Sequence, residues 1–503
     1  MGLRIPSLAQ QRALNYALPK ARIALFMEMR LGKSLVAIRW AQHHKLQRIL
    51  VVAPNDILLD WAIELSKEHI STIQVTVLEG TGLNKLAVAE EIDHGWVIVN
   101  YEAIRQARRS KRVGIQAGTG ILKLPWDGII LDESTAIRTP NSVTTKTLLK
   151  FSGHIPYRCI MTGLPNPNSE LDYFSQMLFL NGSFLGFYNF WSYRDALYYP
   201  DPMGWTWTPK STTTPRVRAE VHKLAFILSR KDAGVGTHAV RERRYVTMMP
   251  RQRIAYTAIE RDFSYKETKT VFAPVRELWL ARLAGGFLPV QPRCVNCTAL
   301  PVQCEECKVK NSLEYLNPGK ADSIVHLAKT ELKKEQLVVW FRFNAELDAV
   351  ATALEKQRIA FHMVKGGSPD TAAKELIQKK KQEFQSGNVQ IMLMQQMMGK
   401  YGWDLSASST AIYYSNVYDW EARAQSQDRI VNVRKQDTLL YIDLVTKNTV
   451  DEDIVDVLTD RRVTAQLFNG RFKERVLDSL RQRYPPPRQP IPLVQRILPG
   501  DSY

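Results

Sequence analysis

Short runs of three to five consecutive apolar residues recur along this 503-residue chain, each followed by a helical or polar stretch. A strand with one wet face alternates apolar and polar residues. A run that is apolar throughout must be covered on both faces, as parallel strands between two helix layers are. In the first third the runs are Ile23–Phe26, Ile49–Val52, Val97–Val99, Ile129–Leu131 and Cys159–Met161, with helical patterns at Ser34–Gln42 and Asp56–His69 between them. The texture returns at Leu337–Phe341, Ile391–Met394, Ala411–Tyr414 and Leu439–Ile442. Strand–helix alternation predicts the α/β class. Two doubly wound lobes are expected, at 1–182 and 318–460, with no literal repeat between them.

The intervening 183–317 segment reads as a helical insert. Its start is crowded with Phe184, Phe187, Tyr188, Phe190, Trp191, Tyr193, Tyr198, Tyr199, Trp205 and Trp207. Such aromatics either stack bases or pack a small irregular insert. Val221–Phe287 has a helical, basic pattern. Residues 461–503 form a basic tail, read as a helix running into the extended strap of Pro485–Pro487.

Hydrophobic residues make up 45% and charged residues 23%, enough for ordinary cores, which excludes wholesale disorder. No window approaches the roughly 18 apolar residues of a membrane span. No apolar signal segment follows Met1, so a soluble, intracellular and cytoplasmic protein is expected. Lysine and arginine total 68 against 50 acidic residues, a net charge of +18. That excess suits a polyanion, nucleic acid ahead of anionic lipid.

Gly32-Lys33-Ser34 follows the first strand and opens the first helix. Amides at a helix N-terminus bind phosphate oxygens. Gly32 permits close approach, Lys33 would reach the β/γ-phosphates of a nucleotide, and Ser34 would ligate Mg²⁺. Met27 stands where a full phosphate loop has another glycine, so a plain helix start beside a surface lysine is the competing reading. Roughly 100 residues on, Ile129-Ile130-Leu131 runs into Asp132-Glu133. At the carboxyl edge of a parallel sheet, Asp132 can hold the Mg²⁺ shell and Glu133 can take a proton from attacking water. An acidic pair can also be a mere helix cap, but the phosphate turn upstream favours the catalytic reading.

Four of the five cysteines lie together: Cys294 and Cys297, then Cys304 and Cys307. Two such pairs deliver four thiolates to a tetrahedral Zn²⁺, and a closed four-cysteine site is structural. The cluster at 294–307 is expected to staple the insert, with a chance cluster or an iron–sulfur site as alternatives. Cys159, inside a strand, reads as a buried thiol.

These motifs, in this order, resemble the Swi/Snf-type ATPases of helicase superfamily two over most of residues 1–460. Gln11-Arg12 resembles the adenine-sensing segment. Glu28 to Ser34 is similar to the phosphate loop, although Arg30 stands where glycine is usual. Val52-Ala53-Pro54 with Trp61, Val99-Asn100-Tyr101-Glu102, the acidic box Asp132-Glu133-Ser134 and the coupling motif Met161-Thr162-Gly163-Leu164-Pro165 follow. In the second lobe, Val339 to Phe343 resembles the opening strand motif. Gly399 to Leu405 resembles the Gly-rich loop, and Gln425 to Arg429 the arginine motif. The short length is like that of compact bacteriophage-type members.

The resemblance implies two RecA-like lobes with ATP and Mg²⁺ between them, and a duplex lying across both. It assigns catalysis to Lys33, Asp132, Glu133 and Arg429. ATP binding falls to Gln11, Gly32, Lys33, Ser34, Gly402 and Asp404, and coupling to Thr162 and Gly163. DNA contact falls to Pro54, Asn100, Tyr101, Phe343, Gln395 and Gln396. Gln395-Gln396 replace the usual Ser/Thr pair. The expected second arginine is Asn432, and Arg434 lies two positions late. If the segment is helical there, two residues rotate a side chain by about 200°, away from the cleft. The function implied is that of an ATP-dependent double-stranded DNA translocase acting on branched or protein-bound DNA. It would work as a monomer, with replication or recombination proteins as candidate partners, in a bacterial or phage-infected cell. A strand-separating helicase and a nucleic-acid scaffold with a weakened ATPase are the alternatives.

Overall fold

The computed structural model describes residues 4–70, 74–105, 117–167, 169–201, 207–235, 238–265, 268–269, 273–290, 312–316, 319–365, 371–400, 403–432 and 438–465. Gly402, Arg434, the four clustered cysteines and most of the basic tail lie outside them.

The first sheet has seven strands, all parallel. They are β1 (Arg22–Met27), β2 (Arg48–Ala53), β3 (Val75–Val77), β4 (Gly95–Asn100), β5 (Gly128–Asp132), β6 (Tyr157–Met161) and, after the short hairpin β7 (Tyr198–Pro200) and β8 (Trp207–Pro209), β9 (Ala225–Leu228). Their order is β3-β4-β2-β5-β6-β1-β9. Each apolar run is divided between two cores, because successive side chains point to opposite faces. Ala24 and Phe26 join one core, while Ile23, Leu25 and Met27 join the other.

The second sheet has six parallel strands. They are β10 (Ala239–Val246) and, beyond the small ribbons β11–β12 (Ser264–Tyr265, Thr268–Lys269) and β13–β14 (Phe287–Val290, Ser312–Tyr315), β15 (Leu337–Phe341), β16 (Phe361–Val364), β17 (Ile391–Gln395), β18 (Thr410–Tyr413) and β19 (Leu439–Thr446). Their order is β10-β19-β18-β15-β17-β16. A further core gathers Tyr256, Ile259, Leu280, Leu283, Ile454 and Leu458, from helices Pro250–Asp262, Ala273–Ala284 and Val450–Ala465.

The boundaries expected at 182 and 318 are therefore moved. β9 pairs with β1 in the first sheet, and β10 pairs with β19 along all eight of its residues. The segment read as helical and basic thus supplies a strand to each lobe. Its second strand, Ala-Val-Arg-Glu-Arg-Arg-Tyr-Val, is a sheet edge with much of its surface in water, so it lacks the apolar run that marked the others. The start of the aromatic stretch also belongs to the first lobe. Phe184 and Tyr193 are fully buried, and the Tyr193 ring centroid lies 4.8 Å from that of Phe174. Tyr188, Trp191 and Tyr199 remain exposed. Cys159 is a buried free thiol, and burial holds its proton well above the ordinary range. Among the described residues no helix is long and apolar enough to cross a membrane.

Candidate active site

Four loops converge at the carboxyl ends of neighbouring first-sheet strands, where doubly wound sheets open their ligand crevice. After β1 the chain turns through Arg30 and Gly32, both at positive φ (68° and 74°), and enters helix Lys33–His43. Gly32 suits that turn because it lacks a Cβ, which would press on the Gln10 amide. Lys33 and Ser34 open the helix. The Lys33 ammonium folds back on the loop and donates to the Met27 carbonyl at 2.9 Å. Burial pushes its pKa down, while Glu133 and Asp132 pull it back up.

Asp132 ends β5. Trp61 Nε1 donates to its Oδ2 at 2.8 Å, and the Tyr101 hydroxyl donates to its carbonyl at 2.8 Å. Glu133 follows in a left-handed conformation, φ 50°. Thr162, just after β6, donates its hydroxyl to Glu133 Oε2 at 2.9 Å. Burial pushes both carboxyls up, and the Asp132 charge adds to the effect on Glu133. Gly163 lies against the phosphate loop, where a Cβ would come within 3.2 Å of Met29 Cγ and 3.3 Å of the Met29 amide nitrogen. A second thread joins the acidic box to the coupling loop. Ser134 donates to Gln176 Oε1 at 2.7 Å, and Gln176 Nε2 donates to the Pro165 carbonyl at 2.7 Å.

From the second lobe comes Arg429, directly after helix Trp420–Asp428. Its Nε donates to the Gly399 carbonyl at 2.7 Å. Burial lowers its pKa to about 10, helped by the nearby Arg30 and opposed by Glu133. Gln10, Arg30, Gly32, Lys33, Ser34, Pro54, Asp132, Glu133 and Arg429 line one cleft of about 360 Å³. That volume lies in the usual range for small-ligand sites. A helix N-terminus with a lysine fits polyphosphate, and Asp132 with Ser34 is a hard-oxygen set suited to Mg²⁺.

Among the described residues, side-chain ion pairs at three points tie the lobes across the cleft. Arg30 pairs with Asp404 at 2.9 Å, and Arg138 with Glu421 at 2.6 Å. Arg230, just past β9, lies between Glu28 (3.1 Å) and Asp428 (2.6 Å).

Several sequence expectations are corrected here. Gln10, not Gln11, faces the cleft. Gln10 Nε2 donates to the Gly32 carbonyl at 3.3 Å, while Gln11 turns to Asn15 on the helix surface. Neighbouring helical residues point about 100° apart, so a shift of one is decisive. Asn100 and Tyr101, expected to touch DNA, face inward. Asn100 Oδ1 accepts from Lys85 at 2.8 Å and its Nδ2 donates to Asn55, while Tyr101 is spent on Asp132. Gln396 is fully buried and accepts from the Val417 amide, although among the described residues its Nε2 has no partner. Gln395 ends β17 half-buried, and Phe343 packs half-buried against Phe287 at 5.6 Å. Asp404 is engaged by Arg30 and the Ser406 amide. Burial pushes its carboxyl up, but these partners outweigh that and hold it below the ordinary range. The helix before Arg429 ends at Asp428 and Asn432 is in irregular chain, while Arg434, which the rotation argument concerned, lies outside the described residues. The orienting roles of Trp61 and Gln176 had no local signal, since both act on residues far away in the chain.

The model of the SNF2-related domain matches residues 10–273. An uncharacterized ATP-dependent helicase of Mycoplasma pneumoniae is 21% identical over 86% of this chain and 39% of its own length. The ISWI chromatin-remodeling complex ATPase ISW1 of Saccharomyces cerevisiae is 23% identical over 90% of this chain and 39% of its own. The chain thus spans about two fifths of the length of these curated relatives. Among solved structures, the Sulfolobus solfataricus SWI2/SNF2 ATPase core in complex with dsDNA aligns over 96% of this chain and 99% of that one, at 17% identity and a TM-score of 0.40.

Proposed function

Since the chain belongs to the SNF2-related family, we propose that it is an ATP-driven motor that translocates on double-stranded DNA and remodels branched or protein-bound DNA. The observation that carries this reading is the cleft. It brings the phosphate-loop lysine and the carboxylate pair of one lobe together with an arginine of the other. Lys33 and the amides at the start of its helix would hold the β/γ-phosphates of ATP. Ser34 and Asp132 would hold Mg²⁺, which supplies charge neutralisation at the phosphates. Glu133 accepts the proton of attacking water, and Arg429 meets the negative charge that develops on the γ-phosphoryl oxygens. Thr162 bonds Glu133 while Gly163 lies on the phosphate loop, so a change at the phosphates is passed to the coupling loop. The +18 net charge supports a nucleic-acid track.

A strand-separating helicase would use the same cleft, and nothing among the described residues favours it. A scaffold with a weakened ATPase is disfavoured by the assembled carboxylates and arginine. We place the work of the motor inside the cell, as a monomer, with replication or recombination proteins as partners. Cys294, Cys297, Cys304 and Cys307 would hold one structural Zn²⁺ in the 294–307 element, which metal analysis of protein purified without chelator would detect or exclude.

The test is ATP hydrolysis against duplex, single-stranded and branched DNA and against RNA, with displacement of a third strand from a triplex. Duplex DNA is expected to stimulate turnover, triplex displacement to require ATP, and Lys33→Ala to abolish both. Unwinding of a forked duplex without triplex displacement would favour the helicase. No nucleic-acid-stimulated hydrolysis at all would defeat the proposal.

A further inference from the structure

The phosphate loop carries an arginine in a backbone conformation that favours glycine. Arg30 has φ 68°, in the left-handed region that a residue with a Cβ enters at a cost. The resembling family usually has glycine there. Strain of this kind persists where surrounding contacts over-determine it, and here the contacts reach the opposite lobe. Arg30 Nη2 donates to Asp404 Oδ1 at 2.9 Å and to the backbone carbonyl of Arg429 at 3.0 Å, with the Trp403 carbonyl at 3.5 Å. All three acceptors lie beside or on Arg429, the second-lobe arginine that reaches the cleft among the described residues. Arg429 is thus held by its Nε through the Gly399 carbonyl and by its backbone carbonyl, which accepts from the Leu405 amide of its own lobe at 3.0 Å and from Arg30 of the other. Asn432 brings no cation, so among the described residues Arg429 is the second-lobe cation whose depth in the cleft has to be set.

We propose that Arg30 is a positioning residue: it ties the Arg429 turn of the second lobe to the phosphate loop of the first, and so sets where the Arg429 guanidinium stands relative to Glu133 and Lys33. The geometry explains why an arginine outweighs the glycine that the local backbone favours. A glycine would relax φ but remove the bonds that cross between the lobes, leaving Asp404 and the Arg429 carbonyl only with the Ser406 and Leu405 amides of their own lobe. It also couples the two ends of the cleft, since any movement of the phosphate loop on filling is transmitted to Arg429 through one guanidinium. The inference rests on the ATPase reading above.

The experiment is steady-state ATPase kinetics with saturating duplex DNA on the full chain, comparing wild type, Arg30→Gly, Arg30→Lys, Asp404→Asn and the Arg30→Gly/Asp404→Asn double variant, with thermal melts of each. Misplacing a catalytic group by about 1 Å costs on the order of 10²-fold in rate. Arg30→Gly is therefore expected to lower kcat by roughly that factor and leave KM for ATP nearly unchanged. Its Tm should stay equal or rise, since glycine suits the turn. Arg30→Lys should not rescue, because a single ammonium cannot reproduce the guanidinium contacts. Asp404→Asn, which leaves the phosphate loop untouched, should lower kcat less, and the double variant should be no worse than Arg30→Gly alone. Unchanged kcat in Arg30→Gly, or single effects that multiply in the double variant, would overturn the inference. A lower Tm with unchanged kinetics would assign Arg30 a purely structural role. A wild-type protein without nucleic-acid-stimulated hydrolysis would instead defeat the ATPase reading itself, so the two failures are distinguishable.

Discussion

In the first lobe the proposed catalytic groups stand at the carboxyl ends of strands β1 and β5, on either side of β6, in one buried sheet. Each is braced from within that lobe, Asp132 by Trp61 and Tyr101, Glu133 by Thr162. In the second lobe, Arg429 sits just past a helix end. Its braces are the Gly399 carbonyl and the Leu405 amide of its own lobe and a side chain from the opposite lobe, Arg30. The first half of the site is therefore set by its own sheet, whereas the second is held in part across the lobes. The proposed motor would use this asymmetry. A rigid half can bind and orient the nucleotide, and a half whose placement depends on closure can make hydrolysis conditional on it.

Removing the arginine of the second lobe should have the largest effect. Arg429→Ala is expected to cut kcat by roughly 10³-fold or more, with KM for ATP little changed, because the charge is needed as phosphoryl transfer proceeds. A proportional rise in KM with kcat intact would show Arg429 to be a ground-state binder, and the asymmetry would fail. Next is Glu133→Gln, expected to bind ATP and lose roughly 10²–10⁴-fold in single-turnover hydrolysis, since the amide cannot accept the water's proton. A near-normal single-turnover rate would remove Glu133 from that role.

A finer test reads the bracing itself. Burial and Asp132 hold Glu133 above the ordinary range, and the Thr162 hydrogen bond pulls it back down. The base must be ionised to work, so activity should fall as pH drops through its pKa. Thr162→Val removes the bond and should move the acid limb of kcat to higher pH, with a smaller loss at the optimum. An unmoved limb would count against Thr162 as a tuner of Glu133.

The smallest effect concerns the second lobe's own core. Glu346 is buried, and burial raises its carboxyl to about 7, against pulls from Ser415 and Lys320. A carboxyl with a folded pKa above its unfolded one binds its proton more tightly in the fold. Stability is then lost as pH rises from about 4.5 to about 7, by on the order of 3 kcal/mol at most. Glu346→Gln should flatten this loss in denaturant unfolding of the second lobe between pH 5 and 8. Identical slopes in the two proteins would show that Glu346 does not titrate in that window.

The parts legible in the amino-acid order share one property: they are local. Runs such as Ile23–Phe26 and Leu337–Phe341 announce strands covered on both faces, and the sheet follows. Lys33 opening a helix after β1 and Asp132-Glu133 ending β5 can be read because strand, turn and helix adjoin in the chain. The tertiary structure decided what depends on distant partners. It chose Gln10 over Gln11, because packing alone sets which side of helix Leu8–Ala17 faces the cleft. It turned Asn100 and Tyr101 inward, where Lys85 and the Asp132 carbonyl wait for them. It sent β9 to one sheet and β10 to the other, although only ten residues separate them. And it placed Arg30 against Arg429, 399 positions away, a contact written in no local pattern because the hydrogen bond exists only when two separately folded sheets close on one cleft.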